Sequence, residues 1–323
     1  MKAELKHILI ARTDGIGDVV LTLPLAAALK ELLPGVQISF LGRSYTQPVV
    51  ALCASVDYFL NADDYPTEEG LAGAMRKLQV NAILCVFPEK RVVRAAKQAR
   101  IPLRVGTGRR VHTFFNLNRR LWFSRKNDFL HETQYNLKML AGLQLKVDWT
   151  IVDIRTKYHL RKPTEFPEAA NSFLAGSKKI ILHPKSHGSA LEWPASKYGE
   201  LTKLLHARGW SIAISGTQKE YEAMPADFPW HLCHNLMGKL TLSELISVIS
   251  ASDALVAAST GPLHIGAAFG IHAIGLYSPK RPIFPERWAP IGPKASFLVC
   301  EEHPEDGQLP FSAEEVMRAL SWS

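Results

Sequence analysis

Residues Ala11 to Pro24, "ARTDGIGDVVLTLP", directly follow the apolar run "HILI". The apolar run predicts a short buried strand. Residues 19–34, "VVLTLPLAAALKELLP", predict a helix that is kinked where Pro24 removes a backbone hydrogen bond. A strand, a glycine turn and a helix open a βα unit. The turn itself has three candidate roles: it binds a phosphate, it presents a catalytic carboxylate, or it only joins the strand to the helix.

The same alternation of apolar runs and helical segments continues through two halves of similar length. It predicts parallel strands with helical crossovers, the α/β class. Residues 107–130, rich in arginine and aromatic side chains, break this rhythm, and no regular element is predicted there. A mixed-charge segment with two prolines, residues 155–167, reads as a linker. The predicted domains are therefore residues 1–157 and 158–323.

Composition indicates an ordinary globular chain. Its 323 residues are 47% hydrophobic and 21% charged, and they contain no apolar run long enough to span a bilayer. The N-terminus does not resemble a signal peptide, and the four cysteines form no C-x-x-C pair, so we expect a cytoplasmic protein with reduced thiols. A net charge of +8 favours phosphates, an acidic membrane surface or nucleic acid as partners, or serves solubility alone.

The glycines of the opening turn fit a dinucleotide site poorly. Gly15 and Gly17 give G-x-G, but the third glycine of the fingerprint would fall at Val20. Arg43, after the second predicted strand, would favour NADP over NAD. The glycines can instead allow a tight turn that points Asp14 or Asp18 into a cleft, and Asp18 can equally be only the N-cap of the next helix.

In the C-terminal half, a predicted strand ends in Ser259-Thr260-Gly261 and a helix follows with Pro262 in its first turn. The free N–H groups of that turn and two hydroxyls suit a phosphate. His264 can reach the same anion or be a core histidine.

The C-terminal half contains three further motifs. The polar loop of "LHPKSHGSALEWP" (182–194) places Lys185 and Ser186 after a strand, where a nucleotide diphosphate is expected. Glu220 binds a ribose or base edge, or is a solvated helix residue. "HLCH" (231–234) has no partners at metal-ligand spacing, so no metal is predicted.

Together, "ILIARTDGIGDVVLTLP", "ILHPKS…EWP" and "GKLTLSELISVISASDALVAASTGPLHIGAAFG" resemble glycosyltransferase family 9, the bacterial lipopolysaccharide heptosyltransferases. The resemblance runs through nearly the whole chain in order. It implies a GT-B fold, with two Rossmann-like domains facing across a cleft. It also implies inverting, metal-free transfer without a cofactor, from a nucleotide sugar such as ADP-heptose on the C-terminal half. The acceptor, a lipid-linked lipopolysaccharide core, would bind the N-terminal half at the inner face of the inner membrane.

Carried over by position, the resemblance makes Asp18 the catalytic base. It assigns the donor to one set of residues: Lys185, Ser186, Glu220, Leu240, Ser259, Thr260, Gly261 and His264. Two positions depart from the family, which commonly has aspartate at Ser259 and lysine at or near Leu191. These departures leave a non-catalytic sugar-nucleotide binder as an alternative, beside the NADP-linked oxidoreductase that the G-x-G turn suggests.

The arginine-aromatic stretch lies in the half assigned to the acceptor. We expect it to bind the phosphates and carboxylates of a lipopolysaccharide core and to rest on anionic lipid. A solvated loop is the alternative, and nucleic acid is not expected because no nucleic-acid fold signature accompanies the basic residues. The residues predicted to bind the acceptor are Asp14, Arg43, Arg109, Arg110, Arg119 and Arg120.

Overall fold

A computed structural model describes residues 5–125, 130–186, 188, 190–305 and 307–320. The chain divides into two compact units, Met1–Arg161 and Lys162–Ser323. The division falls within the segment that the sequence indicates as a linker, four residues after the predicted boundary.

The N-terminal unit is built on a parallel sheet with the strand order β3-β2-β1-β4-β5-β6. Its strands are β1 (His7–Ala11), β2 (Gln37–Gly42), β3 (Tyr58–Asn61), β4 (Ala82–Cys85), β5 (Leu103–Thr107) and β6 (Arg119–Leu121). Its α-helices are α1 (Ile16–Val20), α2 (Leu23–Leu32), α3 (Gln47–Val50), α4 (Glu68–Lys77), α5 (Lys90–Gln98), α6 (Val111–Asn116), α7 (Glu132–Leu137) and α8 (Ile151–Ile154).

The C-terminal unit has a second parallel sheet, in the order β12-β11-β10-β7-β8-β9. Its strands are β7 (Lys179–His183), β8 (Ser211–Ile214), β9 (His234–Asn235), β10 (Ala254–Ala258), β11 (His272–Tyr277) and β12 (Ser296–Val299). Its α-helices are α9 (Asn171–Leu174), α10 (Ala195–His206), α11 (Gln218–Glu222), α12 (Leu242–Ser250), α13 (Gly261–Phe269), α14 (Pro285–Trp288) and α15 (Ala313–Leu320).

Both sheets have the same topology. Counted within each unit, the strand order is 3-2-1-4-5-6, that of a Rossmann fold. The order reverses between β1 and β4 in the first unit and between β7 and β10 in the second. In such sheets, ligands bind beyond the carboxyl ends of the strands at this reversal. The loops after these four strands are therefore where a site is expected. The predicted α/β class is confirmed.

The central strands are apolar because helices cover both faces of each sheet. Every residue of β1 and β10 is buried. In the C-terminal unit, α10 and α15 pack over Ile180 and Val256, and Trp193 anchors the start of α10 through a 2.8 Å hydrogen bond from its indole N–H to the Phe311 carbonyl oxygen. This packing fixes where the loops after β7 and β10 begin.

The prediction of one helix kinked at Pro24 is wrong. The structure has two helices, because α1 ends at Val20 and Thr22 is the N-cap of α2. Pro24 then lies in the first turn of α2, where a missing N–H costs no intrahelical bond.

Residues 107–130 are more regular than the sequence suggests. They contain the end of β5, the helix α6 and the edge strand β6, while residues 126–129 lie outside the described part. The periodicity does not reveal β6 because the strand has three residues and two of them are arginines.

Close packing at Gly142 gives a test of the N-terminal unit. A Cβ at Gly142 would lie 2.2 Å from Val105 Cγ1, whereas a Cβ at Gly73 in α4 would meet nothing nearer than 3.9 Å. We expect Gly142→Ala to destabilise the protein by about 1–3 kcal/mol through overpacking. Gly73→Ala should stabilise it by up to about 1 kcal/mol, since alanine is the better helix former. Urea denaturation measures both, and equal effects would contradict the close contact.

Candidate active site

The loop after β1 is organised by one buried arginine. Arg12 is 3% exposed, and its guanidinium contacts three carboxylates. Its Nε donates to Asp14 at 2.6 Å, one terminal nitrogen donates to Glu132 at 3.0 Å, and the other donates to Asp18. The side chains of Asp14 and Asp18 remain 24% and 25% exposed, while that of Glu132 is 1% exposed. Two carboxylates therefore face outward from a buried cation.

Asp18 lies in the first turn of α1 and is not its N-cap. The N-cap is Gly15, so the alternative that made Asp18 only a helix cap is wrong. A Cβ at position 15 would lie 3.1 Å from Asp18 Oδ2, tighter than most side-chain contacts. The glycine of the opening turn therefore leaves room for the carboxylate to fold back toward Arg12.

The surroundings of Asp18 raise the pKa of its carboxyl toward neutral pH. Burial raises the pKa of the Asp18 carboxyl to about 6, and the neighbouring carboxylates of Asp14 and Glu132 act in the same direction, while Arg12 opposes them. A carboxylate with such a pKa can take a proton near neutral pH, as a general base must.

The sequence did not join Glu132, Asn136 and Arg125 to this cluster. Glu132 and Asn136 project from α7, and Asn136 Oδ1 accepts from Arg12 at 3.3 Å. Arg125 adds a second cation, because its Nε donates to Glu132 Oε1 at 3.1 Å. Arg12 itself belongs to the opening stretch, and its position directly after a buried strand is a usable signal. Glu132 gives no such signal, since an acid in the first turn of a helix is ordinary.

The loop after β4 adds another acid at the same reversal point of the sheet. Glu89 is the N-cap residue of α5, and its Oε2 accepts from the Thr13 hydroxyl at 2.9 Å. Thr13 and Glu89 thereby join the loops after β1 and β4.

In the C-terminal unit, the loop after β7 is closed by Glu192. Lys185 Nζ donates to Glu192 Oε2 at 3.0 Å, and the Ser186 backbone N–H donates to Oε1 at 2.9 Å. Although partial burial opposes it, these hydrogen bonds hold the pKa of the Glu192 carboxyl below its usual value. Lys185 therefore lies in the loop after β7 and is paired with an acid. His187 and Ser189 of this loop lie outside the described residues.

The loop after β10 leads into α13, a nine-residue helix whose N-cap is Thr260. Thr260 is 7% exposed, and its side chain does not cap the helix. Its buried Oγ1 has no hydrogen-bond partner within the described ranges. Gly261 is the first helical residue, and His264 is 3% exposed in the following turn. The structure thus brings a helix N-terminus and an unsatisfied hydroxyl to the reversal point of this sheet.

The two positions that depart from the family pattern lie beside one cavity. A cavity of about 460 Å³ in the C-terminal unit is lined in part by Leu191, Tyr277, Lys280 and Arg281. The Ser259 side chain hydrogen-bonds to the Tyr277 hydroxyl, which in turn donates to the Trp288 carbonyl oxygen. Lys280 and Arg281, which the sequence analysis did not single out, put positive charge at the cavity that Leu191 lines.

Glu220 is not the solvated helix residue that one alternative made it. It is 7% exposed and forms a capping box with Thr217, whose backbone N–H donates to Glu220 Oε2 at 2.7 Å. Leu240 is half-buried immediately before Thr241, the N-cap of α12. Both lie in the C-terminal unit, as their predicted role requires.

The predicted acceptor-binding arginines are exposed and lie at two places on the sheet, Arg43 after β2 and the other four beside β5 and β6. Arg43 follows β2 and pairs with Asp63 through a 2.7 Å contact from Nε to Oδ1. Arg109 and Arg110 follow β5, whereas Arg119 and Arg120 belong to β6.

Within the described residues, no group of three or more His, Cys, Asp or Glu side chains is arranged to hold a metal ion. Across the same residues, no helix combines the length and apolarity needed to cross a membrane.

Comparison with known proteins relates the chain to one family. The model of Glycosyltransferase family 9 (heptosyltransferase) matches residues 92–309. A putative glycosyltransferase of Haemophilus influenzae is 24% identical over 89% of this chain and 86% of its own length. Lipopolysaccharide heptosyltransferase 2 of Escherichia coli K12 is 24% identical over 86% of this chain and 84% of its own length.

Solved structures are similar over nearly the whole chain. A glycosyltransferase family 9 protein from Veillonella parvula superposes with a TM-score of 0.78 at 18% identity, covering 99% of this chain and 97% of its own. The ADP-heptose heptosyltransferase II of E. coli gives 0.73 at 21% identity, covering 98% and 97%. These likenesses establish the fold as GT-B type, with two Rossmann-like units.

Removal of the buried cation tests the carboxylate cluster. We expect Arg12→Met to destabilise the protein by about 3–5 kcal/mol, because it leaves carboxylates buried without their partner. Those carboxylates would then have raised pKa values in the folded state. The folded state would bind more protons than the unfolded one, so the loss should be larger at pH 7.5 than at pH 5.

The matched control is Arg43→Met, which removes an exposed ion pair and should cost less than about 1 kcal/mol. Urea denaturation of both variants at the two pH values measures the effect. A loss for Arg12→Met that is small, or that does not depend on pH, would contradict the cluster.

Proposed function

The chain belongs to glycosyltransferase family 9 and is a glycosyltransferase, and from this premise we propose that it transfers a heptose from ADP-heptose to a lipopolysaccharide core or related lipid-linked glycan. A solved neighbour supports the donor, since the E. coli heptosyltransferase WaaC was determined both with ADP and with ADP-2-deoxy-2-fluoro heptose. The curated relatives named lipopolysaccharide heptosyltransferases support the acceptor. Membership of this family argues against the NADP-linked oxidoreductase. The proposed place of action is the cytoplasmic face of the inner membrane.

The observation that carries the mechanism is the Asp18 carboxylate, held by a buried arginine and raised in pKa. We propose that Asp18 takes the proton from the acceptor hydroxyl as that oxygen attacks the anomeric carbon. The bond from that carbon to the diphosphate then breaks, so the configuration inverts and ADP leaves. Asp14, its outward-facing neighbour on Arg12, is proposed to bind acceptor hydroxyls together with Arg43.

The donor is proposed to bind the C-terminal unit. The leaving ADP gains negative charge, which needs stabilisation. The N-terminus of α13 supplies N–H groups and a favourable dipole, and the Thr260 hydroxyl is available to donate. Lys185 and Ser186 face the same reversal point of the sheet, and Lys280 and Arg281 offer cationic charge where Leu191 replaces a lysine. Transfer without a metal is part of this proposal.

The remaining donor-binding residues are assigned by their match to positions in the family's motifs. Glu220 is proposed to bind the ribose through the carboxylate oxygen that does not cap α11, and Leu240 to lie against the base. Gly261, His264 and Ser259 are proposed to line the diphosphate and sugar. Arg109, Arg110, Arg119 and Arg120 are proposed to attract the anionic acceptor.

Replacement of the base tests the mechanism. Asp18→Asn should lower kcat by about 10²–10⁴-fold, the usual range for loss of a general base, while calorimetry shows unchanged ADP affinity. Wild-type kcat should fall about tenfold per pH unit below an apparent pKa near 6, because only unprotonated Asp18 accepts the proton. The variant should lack this acidic limb.

Asp14→Asn is the matched control, because it removes the other outward-facing carboxylate on Arg12 and should keep the acidic limb. Near-normal turnover of Asp18→Asn would remove Asp18 from the mechanism. Binding of ADP-heptose by the wild type without transfer to any acceptor would support the non-catalytic alternative instead.

The unsatisfied hydroxyl gives an independent test of the donor site. Thr260→Val should leave stability within about 0.5 kcal/mol, because no hydrogen bond to another described residue is lost, yet weaken ADP binding about tenfold or more. The control is Thr241→Val at the N-cap of α12, where the hydroxyl accepts from the Glu244 N–H. That change should cost about 1 kcal/mol of stability and leave ADP binding unchanged. Equal ADP affinities in the two variants would argue against α13 as the phosphate site.

A further inference from the structure

The helix α6 exposes its apolar face, whereas an ordinary surface helix buries that face. Val111, Phe114 and Phe115 lie at i, i+3 and i+4, on one face, and are 77%, 46% and 67% exposed. The polar residues point inward: Thr113 is fully buried, and His112 Nε2 hydrogen-bonds to the Pro88 carbonyl oxygen at 3.0 Å. An apolar helix face turned outward marks a surface that meets something other than water.

Basic residues frame this apolar face. Arg109 and Arg110 directly precede α6, and Arg119 and Arg120 follow it on β6. None of the four pairs with a carboxylate among the residues that the structure describes. Trp122, which comes directly after β6, is 70% exposed. The α6–β6 face is defined here by its exposed members: Arg109, Arg110, Val111, Phe114, Phe115, Arg119, Arg120 and Trp122.

The segment that contains this face carries the excess positive charge of the chain, although Arg91, Arg94 and Arg125 within it pair with carboxylates. Residues 90–127 contain 12 of the 38 Lys and Arg residues and no Asp or Glu. The other 285 residues hold 26 Lys and Arg against 30 Asp and Glu, a net charge of −4. An anionic surface would therefore attract this segment and repel the rest of the molecule, which gives binding a single orientation.

We propose that the α6–β6 face docks the enzyme on an anionic lipid bilayer. Arginines at the edge of the face contact lipid phosphates, the amphipathic ring of Trp122 enters the headgroup region, and the apolar side chains of Val111 and Phe115 reach the boundary with the acyl chains. Nucleic acid fits the face less well. Val111 has no π-face, and the Arg120 guanidinium already lies 4.3 Å from the centroid of the Phe114 ring, where a base would stack.

The position of the face relates docking to the acceptor, and this step rests on the proposed function. Arg109 and Arg110 follow β5, and Trp122 follows β6, so they lie at the carboxyl edge of the sheet. Asp14 and Asp18 follow β1 at that same edge. A docked enzyme would hold this edge near the bilayer, where a lipid-linked acceptor is anchored.

Vesicle co-sedimentation without donor or acceptor tests the docking. The wild type should bind phosphatidylcholine vesicles that contain phosphatidylglycerol, more weakly at higher salt, and should not bind pure phosphatidylcholine. Arg109→Gln with Arg110→Gln, and separately Phe115→Ser with Trp122→Ser, should each weaken binding roughly tenfold or more. All of these side chains are exposed, so thermal unfolding should show unchanged stability.

Matched controls change exposed residues elsewhere. Arg155→Gln with Arg208→Gln removes the same charge, and Phe297→Ser removes an aromatic ring that is 45% exposed. Both controls should bind vesicles like the wild type.

The proposal would be overturned if the wild type did not bind the anionic vesicles, or if the control variants lost as much vesicle binding as the test variants. It would also be overturned if the protein bound a single-stranded thymidine oligonucleotide more tightly than vesicles. Normal vesicle binding by the arginine and aromatic variants would also overturn it. The vesicle assay needs no turnover, so a failure to bind vesicles would not contradict the proposed sugar transfer. Likewise, a failure to transfer sugar would not contradict binding to vesicles.

Discussion

The N-terminal unit depends on the ion-pair cluster of Arg12. A buried guanidinium is costly unless its donors are satisfied, and here it binds carboxylates from the loop after β1, from α1 and from α7. The same contacts therefore tie three parts of the chain together and hold Asp18 in place. Burial and the neighbouring carboxylates of Asp14 and Glu132 raise the pKa of Asp18 to about 6, although Arg12 opposes them. Structural stability and proposed base strength have one physical origin.

The C-terminal unit has the same strand order and a different chemistry at its reversal point. Hydroxyls, a helix N-terminus and cations gather after β7 and β10, with Glu192 as the acid that closes the loop. One unit thus presents carboxylates and the other presents groups that favour an anion. This division matches what inverting transfer requires, a base for the acceptor and stabilisation for a leaving diphosphate. The two units can differ in chemistry because their sheets share one topology while the loops that carry the site residues differ.

Three features of the chain cost stability, and their positions point to ligand-binding surfaces. A helix with its apolar side outward, an unsatisfied buried hydroxyl at Thr260 and a carboxylate with a raised pKa each cost stability. All three lie at or beside the carboxyl edges of the sheets, where ligands of this fold bind. Leu191 and Ser259, which depart from the family pattern, lie at the same edge of the C-terminal sheet.

The sequence alone determined the α/β class, the two halves and the positions of Asp18, Lys185 and Thr260, because continuous apolar runs and glycine turns are local signals. It could not reveal β6, whose pairing with β5 depends on a neighbouring strand and not on its own charged residues. Nor could it join Glu132 to Arg12, 120 residues apart, or show that α6 turns its apolar face outward. These three features depend on which surfaces of each element are covered by other parts of the chain. Local pattern fixes what each segment can form, and only tertiary packing decides which charges meet and which faces stay exposed.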